Sequence, residues 1–252
     1  MNKPVTKSSI LEDGCEGTTF ERKYYHSGMS YIKRSLRREE FKEGYYGIYV
    51  PRLSKERLQN EAACLRFISR ATSIPVPRVF ADFEDAGAYY LITEFIDGVS
   101  MSELSEEDKV PVRKELEKYL HILHNLKSNV VGGPSGLVVA PRPVMENTDQ
   151  DLWVLQPSET DEFVFCHNDL SEYNIIVDPK ELTIRAIIDW EYAGYYPEFF
   201  EAPIYTRHGP NAQVTNDDGL VSRMLEFLRT RELKAPILAK ESANMSNNTN
   251  RQ

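Results

Sequence analysis

A polar loop enclosed by apolar segments is the feature that most restricts the fold of this chain. The stretch HNDLSEYN, residues 167–174, contains a histidine, two carboxylates and two carboxamides. The apolar run EFVFC precedes it, NIIVD overlaps its end, and a third run, IRAIIDW, follows. Runs of β-branched and aromatic residues of this length predict short buried strands. The sequence therefore predicts a polar loop held between strands, where side chains can be positioned for chemistry.

The spacing within this loop matches a pattern used for phosphoryl transfer to a hydroxyl. Four residues fall on the specified positions of the kinase catalytic loop, H-R-D-L-x-x-x-N: His167, Asp169, Leu170 and Asn174. On that template the aspartate accepts the hydroxyl proton and the asparagine holds a metal ion. The alternative for Asp169 is a solvated turn aspartate, but its matching neighbours favour catalysis.

Asp189 supplies the second part of the phosphoryl-transfer pattern. It ends a β-branched apolar run fifteen positions after Asn174, where a strand would deliver a second carboxylate to a metal ion. The alternatives are a cap on the following helix for Asp189 and a cap on the following strand for Asn174. Protein kinases have D-F-G at this point, whereas this sequence has D-W-E and no A-P-E after it. The missing activation segment counts against a protein kinase.

The elements predicted along the chain fall into two blocks joined at EFIDGVS. The first block combines strands, over segments such as TTFERKYY, MSYIKRSL and AYYLITEF, with an amphipathic helix over SKERLQNEAACLRFISRA. In the second block, Ser105 and Asp108 resemble a capping box before a long helix. A further helix is predicted at about residues 217–232.

This order of elements predicts an α+β protein with two lobes. We expect residues 18–96 to form a small lobe of sheet and helix, and residues 97–235 to form a larger, mainly helical lobe. The polar segments 1–17 and 236–252 are expected to be disordered tails.

Composition and charge restrict the partners and the compartment. A net charge of −9 and a pI near 5.2 disfavour nucleic acid or an anionic membrane as a partner. The acidic excess is compatible with a cationic small molecule. No apolar run reaches the roughly 18 residues that span a bilayer, and the first residues lack the apolar core of a signal peptide. We therefore expect a cytoplasmic protein.

The cysteines and two histidines offer further candidate chemistry. Three cysteines without CxxC spacing predict neither a disulfide framework nor a zinc site. Cys166 lies beside His167, but adjacent strand residues point to opposite faces, so an inert buried cysteine is favoured over a nucleophile. His121 and His124 are three residues apart on the long helix, but no cysteine or carboxylate is spaced in sequence to complete a metal site. We assign both histidines to the helix edge.

The segments CHNDLSEYNIIVDP and IRAIIDWEYAG together resemble the aminoglycoside phosphotransferase/choline kinase-like family of small-molecule kinases. TSIPVPRVF, YYLITEFIDG and GGPSG resemble a branch of it with many uncharacterised fungal members. The likeness covers roughly residues 18–212. It implies a two-lobed protein-kinase-like fold and an ATP- and Mg²⁺-dependent phosphotransferase that acts on a hydroxyl of a small molecule.

The resemblance also implies roles for individual residues in the catalytic loop. Asp169 would be the catalytic base, and His167 would be a structural member of the same catalytic loop. Asn174 and Asp189 would be the magnesium ligands.

In the nucleotide site, the resemblance implies that Lys33 holds the α- and β-phosphates and pairs with Glu61. Glu94 and Ile96 belong to TEFIDG, the hinge that would contact adenine through its backbone. The alternatives are a solvated strand face for Lys33, which is next to Arg34, and an ordinary helix surface for Glu61.

The sequence departs from the family pattern before Lys33. No G-x-G-x-x-G precedes this lysine, so the phosphate-covering loop is expected to be reduced to HSG or missing. The segment after IDWE is also short for a large lobe. These departures motivate one alternative, a degenerate kinase-like protein that binds a ligand or partner without turnover. A protein kinase is the further alternative, and the missing activation segment counts against it.

Overall fold

The computed structural model describes residues 14–206 and 219–233. The first block consists of the following elements: β1 (Cys15–Thr18), β2 (Arg22–Ser27), β3 (Ser30–Ser35), β4 (Glu43–Gly44), β5 (Gly47–Ile48), α1 (Ser54–Ala71), β6 (Val79–Asp85) and β7 (Ala88–Glu94). Five of these strands form one antiparallel sheet in the order β1-β2-β3-β7-β6. Helix α1 has the bounds that its apolar spacing predicts.

The start of this sheet differs from the prediction in two ways. TTFERKYY was predicted as one strand, but a turn divides it into β1 and β2. Thr19 causes the division, because its hydroxyl accepts hydrogen bonds from the Arg22 N–H at 3.0 Å and the Glu21 N–H at 3.2 Å. Residues 15–17, which we assigned to the amino-terminal tail, pair with β2 in the sheet. The remainder of both predicted tails, apart from Gly14, lies outside the described residues.

The second block continues with these elements: β8 (Val99–Ser100), α2 (Glu106–Asn125), β9 (Lys127–Ser128), α3 (Arg142–Met145), β10 (Phe163–Cys166), β11 (Ile175–Asp178), β12 (Thr183–Ile187), β13 (Gly194–Tyr196) and α4 (Leu220–Arg231). The strands form two small sheets, in the orders β13-β10-β9 and β12-β11-β8. Ser105 caps α2 as predicted, because its hydroxyl accepts the Asp108 N–H at 3.2 Å. The α+β class is thus confirmed.

One buried core extends across both blocks. It contains side chains from α1, α2, β11 and the segment after β12: Leu58, Leu65, Leu116, Val177 and Trp190. A second core joins α3, β10, β13 and α4 through residues such as Val144, Phe163, Tyr196 and Leu228. The chain passes between the blocks at residues 95–98, and we retain the division into 18–96 and 97–235 as a proposal.

Helix α1 also hydrogen-bonds to the backbone that follows β12. The Asn60 amide, fully buried, donates to the Glu191 carbonyl at 3.1 Å and to the Ala193 carbonyl at 2.9 Å. These bonds fix the first block against the segment that carries Asp189. Among the described helices, none has the length and apolar character needed to cross a membrane.

Candidate active site

All four residues predicted to bind the nucleotide line one cavity of about 380 Å³. Lys33 comes from β3, Glu61 from α1, and Glu94 and Ile96 from the end of β7 and the segment after it. Asp189, predicted as a metal ligand, lines the same cavity. The fold therefore brings together residues that are up to 156 positions apart in the sequence.

Lys33 forms the centre of a buried ion-pair cluster. Its ammonium lies 2.5 Å from Oε1 of Glu61 and also contacts Oδ1 of Asp189. Burial alone lowers the pKa of Lys33, but the attraction of Asp189 and Glu61 raises it above its usual value. Arg34 faces elsewhere and binds Glu40, with Nη1 2.6 Å from Oε2. The solvated-face alternative for Lys33 is therefore wrong, since only 7% of the residue is exposed.

The loop after β10 holds Asp169 and Asn174 against each other. The Asn174 amide donates to the Asp169 backbone carbonyl at 2.7 Å and to its Oδ2 at 3.3 Å. Burial raises the pKa of Asp169 to about 7, and repulsion from Asp189 and Glu191 acts in the same direction. Asp169 can thus accept a proton near neutral pH, as a general base must.

The buried side chain of His167 supports the backbone of this loop. Its Nδ1 accepts the Asp169 N–H at 3.3 Å, and its Nε2 lies 2.9 Å from the Ile188 carbonyl, so Nε2 carries the proton. The ring is fully buried beside Trp190, with ring centroids 4.6 Å apart. Burial lowers the pKa of His167 to about 4, which keeps the imidazole neutral. The contacts of His167 suit a residue that positions Asp169.

Asp189 follows β12 in the left-handed backbone region, with φ of 62°. Its carboxylate and the side-chain carbonyl of Asn174 are hard oxygen donors, which is the ligand type that Mg²⁺ prefers. The Asn174 nitrogen is engaged with Asp169, so the carbonyl oxygen is the atom of this carboxamide left for a cation. The donor set therefore fits a magnesium ion.

A second cavity of about 590 Å³ adjoins the catalytic loop and contains a turn that the sequence reasoning missed. Asp169 and Asp189 line it together with Thr19 and Phe20, which belong to the turn between β1 and β2. In HSG, His26 and Ser27 end β2 and Gly28 lies in the turn to β3, and the His26 ring stacks on Phe95 with ring centroids 4.0 Å apart. None of the three HSG residues lines either cavity, which counts against HSG as the phosphate-covering loop. Only the weak turn signal of GTT, residues 17–19, could have located this turn.

The sequence reasoning also missed an ion-pair network beside the catalytic loop. Glu191 accepts from Arg57, with Nε 2.9 Å from Oε2 and Nη2 3.1 Å from Oε1, and it also pairs with Arg22. Although burial raises the pKa of Glu191, the two arginines lower it to about 2. The acidic residue directly after D-W was the available signal, but its partners are more than 130 positions away.

Comparison with known families and proteins identifies relatives, and two family profiles match overlapping parts of the chain. The profile of the "Phosphotransferase enzyme family" matches residues 9–132, and that of "Choline/ethanolamine kinase" matches residues 105–205. The aminoglycoside 3'-phosphotransferase of Streptomyces fradiae is 27% identical over 162 residues, and that of Streptomyces ribosidificus is 28% identical over 165 residues. Each alignment covers 56% of this chain, and the chain spans 60% and 61% of these relatives.

Solved structures are similar over most of the chain. Aminoglycoside phosphotransferase APH(3'')-Id from Streptomyces rimosus, in complex with ADP and streptomycin, has a TM-score of 0.54 and 17% identity, covering 88% of this chain and 87% of that one. An aminoglycoside-3'-phosphotransferase of type VIII has a TM-score of 0.51 and 18% identity, covering 89% and 87%. At such identities, the likeness establishes the kinase-like fold.

Proposed function

Because this chain belongs to the aminoglycoside phosphotransferase/choline kinase-like family, we propose that it is an ATP- and Mg²⁺-dependent phosphotransferase acting on a hydroxyl of a small molecule. One observation carries the proposal: Asp189 lines both the cavity of Lys33 and the cavity of Asp169. A nucleotide in the first cavity and an acceptor in the second would therefore meet at Asp189. An ATP-dependent reaction also agrees with the cytoplasmic location predicted from the sequence.

The nucleotide would lie against the hinge and Lys33. Glu94 and Ile96 line the cavity, and the Ile96 N–H donates no hydrogen bond within the described residues, which leaves it available to adenine. Lys33, held by Glu61, would bind the phosphates. Asn174 and Asp189 would hold Mg²⁺, which neutralises phosphate charge when it is bound.

Asp169 would take the proton from the acceptor hydroxyl. Its pKa of about 7 lets it exist as a carboxylate at neutral pH and still bind a proton effectively. Asn174 and His167 would keep the carboxylate in place through their contacts with Asp169. Most of the rate enhancement would come from this positioning.

The relatives suggest the class of acceptor. Two are aminoglycoside phosphotransferases by name, and one similar structure contains streptomycin. Asp169 has no salt-bridge partner among the residues that the structure describes, so a cationic group on the acceptor would meet an unpaired carboxylate. We therefore propose a hydroxylated, cationic small molecule as the acceptor.

An acceptor screen tests this function. Purified protein with ATP and Mg²⁺ would be incubated with amino sugars, amino alcohols, neutral polyols and generic protein substrates, and ADP and phosphorylated products would be measured. We expect phosphorylation of a small molecule, at a rate that Asp169→Asn strongly reduces. ATP binding without transfer to any acceptor would support the non-catalytic alternative, and transfer only to proteins would support a protein kinase.

A further inference from the structure

Three side chains behind the catalytic loop converge on one point. His124 is in the last turn of α2, Cys166 ends β10, and Glu201 follows β13 by five residues. One nitrogen of His124, the Cys166 sulfur and a carboxylate oxygen of Glu201 all lie within 4.8 Å of one another. None of the three residues lines the two cavities described above.

In the part of the chain that the structure describes, these side chains have no cationic partner, and one of them lacks a hydrogen bond. Nε2 of His124 is buried and has no hydrogen-bond partner within residues 14–206 and 219–233. Among the described residues, the Cys166 thiol donates weak hydrogen bonds to the carbonyls of Val164 and Pro197, at 3.7 and 3.9 Å. Among the residues that the structure describes, Glu201 forms no ion pair, and burial raises its pKa to about 7. Glu201 therefore has no positive partner within the described residues, and a bound cation would supply one.

The surroundings of His124 add an independent indication. Its Nδ1 lies 3.6 Å from Oε1 of Glu198, and the His124 side chain is 24% exposed, which gives access from solvent. A histidine that binds metal through one nitrogen commonly donates its other N–H to a carboxylate. An ion bound at the unpartnered Nε2 would leave Nδ1 facing Glu198, in the arrangement that this pattern requires.

We propose that His124, Cys166 and Glu201 bind a divalent transition-metal ion of the zinc class. One nitrogen, one thiolate and one carboxylate form a borderline-soft ligand set that suits zinc and cobalt better than magnesium. Tetrahedral zinc places such ligand atoms about 3.5 Å apart, so the side chains need to approach by roughly an ångström. Three protein ligands leave a fourth position for water.

The ion would act on the catalytic loop. The Glu201 carboxylate also accepts the N–H groups of His167 and Asn168, the latter at 3.3 Å. A metal bound to this carboxylate competes for the same oxygens, and it also binds Cys166, directly before the loop. Metal binding should therefore change the position of Asp169. The effect of this change on catalysis rests on the proposed function, whereas the metal site does not.

Cobalt spectroscopy tests the site directly. Reduced full-length protein would be titrated with Co²⁺ alone, and the thiolate-to-cobalt charge-transfer band would be followed. We expect a band that saturates at one Co²⁺ per chain and that Zn²⁺ removes. Cys166→Ser should eliminate the band, and His124→Gln should weaken Co²⁺ binding by about tenfold or more. The matched controls, Cys15→Ser and His121→Gln, should leave both unchanged.

The outcomes separate this proposal from the proposed function. Absence of a thiolate band in the wild type, or its loss in Cys15→Ser, would overturn the metal site. If Cys166→Ser does not fold, unchanged Co²⁺ affinity of His124→Gln would overturn it equally. The Co²⁺ spectrum requires neither ATP nor acceptor. A protein that shows the thiolate-to-cobalt band but transfers no phosphate would therefore contradict only the proposed phosphotransferase function.

Discussion

The side-chain amide of Asn174 bridges the backbone carbonyl and the carboxylate of Asp169, at 2.7 and 3.3 Å. The same residue is the proposed magnesium ligand, so the metal site and the proposed base are held by one carboxamide. Its hydrogen bond favours the ionised form of Asp169 against the effect of burial. A change at Asn174 should therefore affect both metal binding and the chemical step.

Asp169→Asn should lower kcat by about 10²–10⁴, because the acceptor hydroxyl loses its proton acceptor. ATP affinity should remain nearly unchanged, since the nucleotide cavity does not include Asp169. Steady-state kinetics and calorimetric ATP titration would measure the two effects. Asp161→Asn, at an exposed position, is the control. Wild-type turnover in folded Asp169→Asn would exclude Asp169 as the base.

Asp169→Asn should also change the pH dependence of stability. The folded-state pKa of this carboxyl is raised to about 7, so ionisation costs stability as pH rises from about 4 to 7. The variant without nucleotide should therefore have a higher melting temperature than the wild type above pH 7 and a similar one below pH 4. Thermal unfolding across this pH range checks the sign, and a pH-independent difference would contradict the raised pKa.

Lys33→Ala should weaken ATP binding by about 10- to 100-fold. This range corresponds to the roughly 1.5–3 kcal/mol of a hydrogen bond to a charged group. Arg34 should not compensate, because it is engaged with Glu40. Lys55→Ala, which removes a lysine from an exposed ion pair, is the matched control. Equal ATP affinity for Lys33→Ala and the control would show that phosphate is bound elsewhere.

Asp189→Ala should abolish the mutual stabilisation by ATP and Mg²⁺. In the wild type each ligand should raise the affinity for the other by the same factor, because the two bind as one unit. The remaining carboxamide of Asn174 carries no charge to hold the cation. Melting temperatures would be measured against ATP with and without Mg²⁺, with exposed Asp85→Ala as control. Equal stabilisation by ATP in wild type and Asp189→Ala, with or without Mg²⁺, would exclude Asp189 as a ligand.

Glu191→Gln should destabilise the fold by on the order of 3 kcal/mol at pH 7, because Arg22 and Arg57 lose their buried anion. The folded-state pKa of Glu191 is lowered to about 2, so its stabilising effect is present above about pH 4.5 and is lost as pH falls towards 2. The difference from wild type in denaturant unfolding should shrink over that interval. A difference that persists at pH 2 would contradict the ion-pair explanation.

Local patterns predicted the elements that carry the candidate site. The bounds of α1 followed from apolar residues at helical spacing, and the strands around the catalytic loop followed from short β-branched runs. The pairing of Lys33 with Glu61 was predicted through the family resemblance, and the structure places the Lys33 ammonium 2.5 Å from Oε1 of Glu61. Their proposed roles remain predictions.

What the sequence did not predict depends on contacts between distant residues. The turn at Thr19 depends on side-chain hydrogen bonds that compete with strand pairing, and the hydrophobic pattern does not contain that information. Glu191 acquired its significance from two arginines more than 130 positions away. Similarly, His124 lacked a partner in its own sequence neighbourhood, because Cys166 and Glu201 reach it only through the fold.

The two hydrogen bonds from Asn60 to the backbone at Glu191 and Ala193 have a consequence for how the chain folds during synthesis. They join residues that are 131 and 133 positions apart, and contacts of such separation form slowly because a long loop must close first. When the ribosome has completed the first sheet and α1, the buried amide of Asn60 still lacks both acceptors. The first block therefore reaches its final packing only after residue 193 has emerged, so it matures together with the catalytic loop rather than ahead of it.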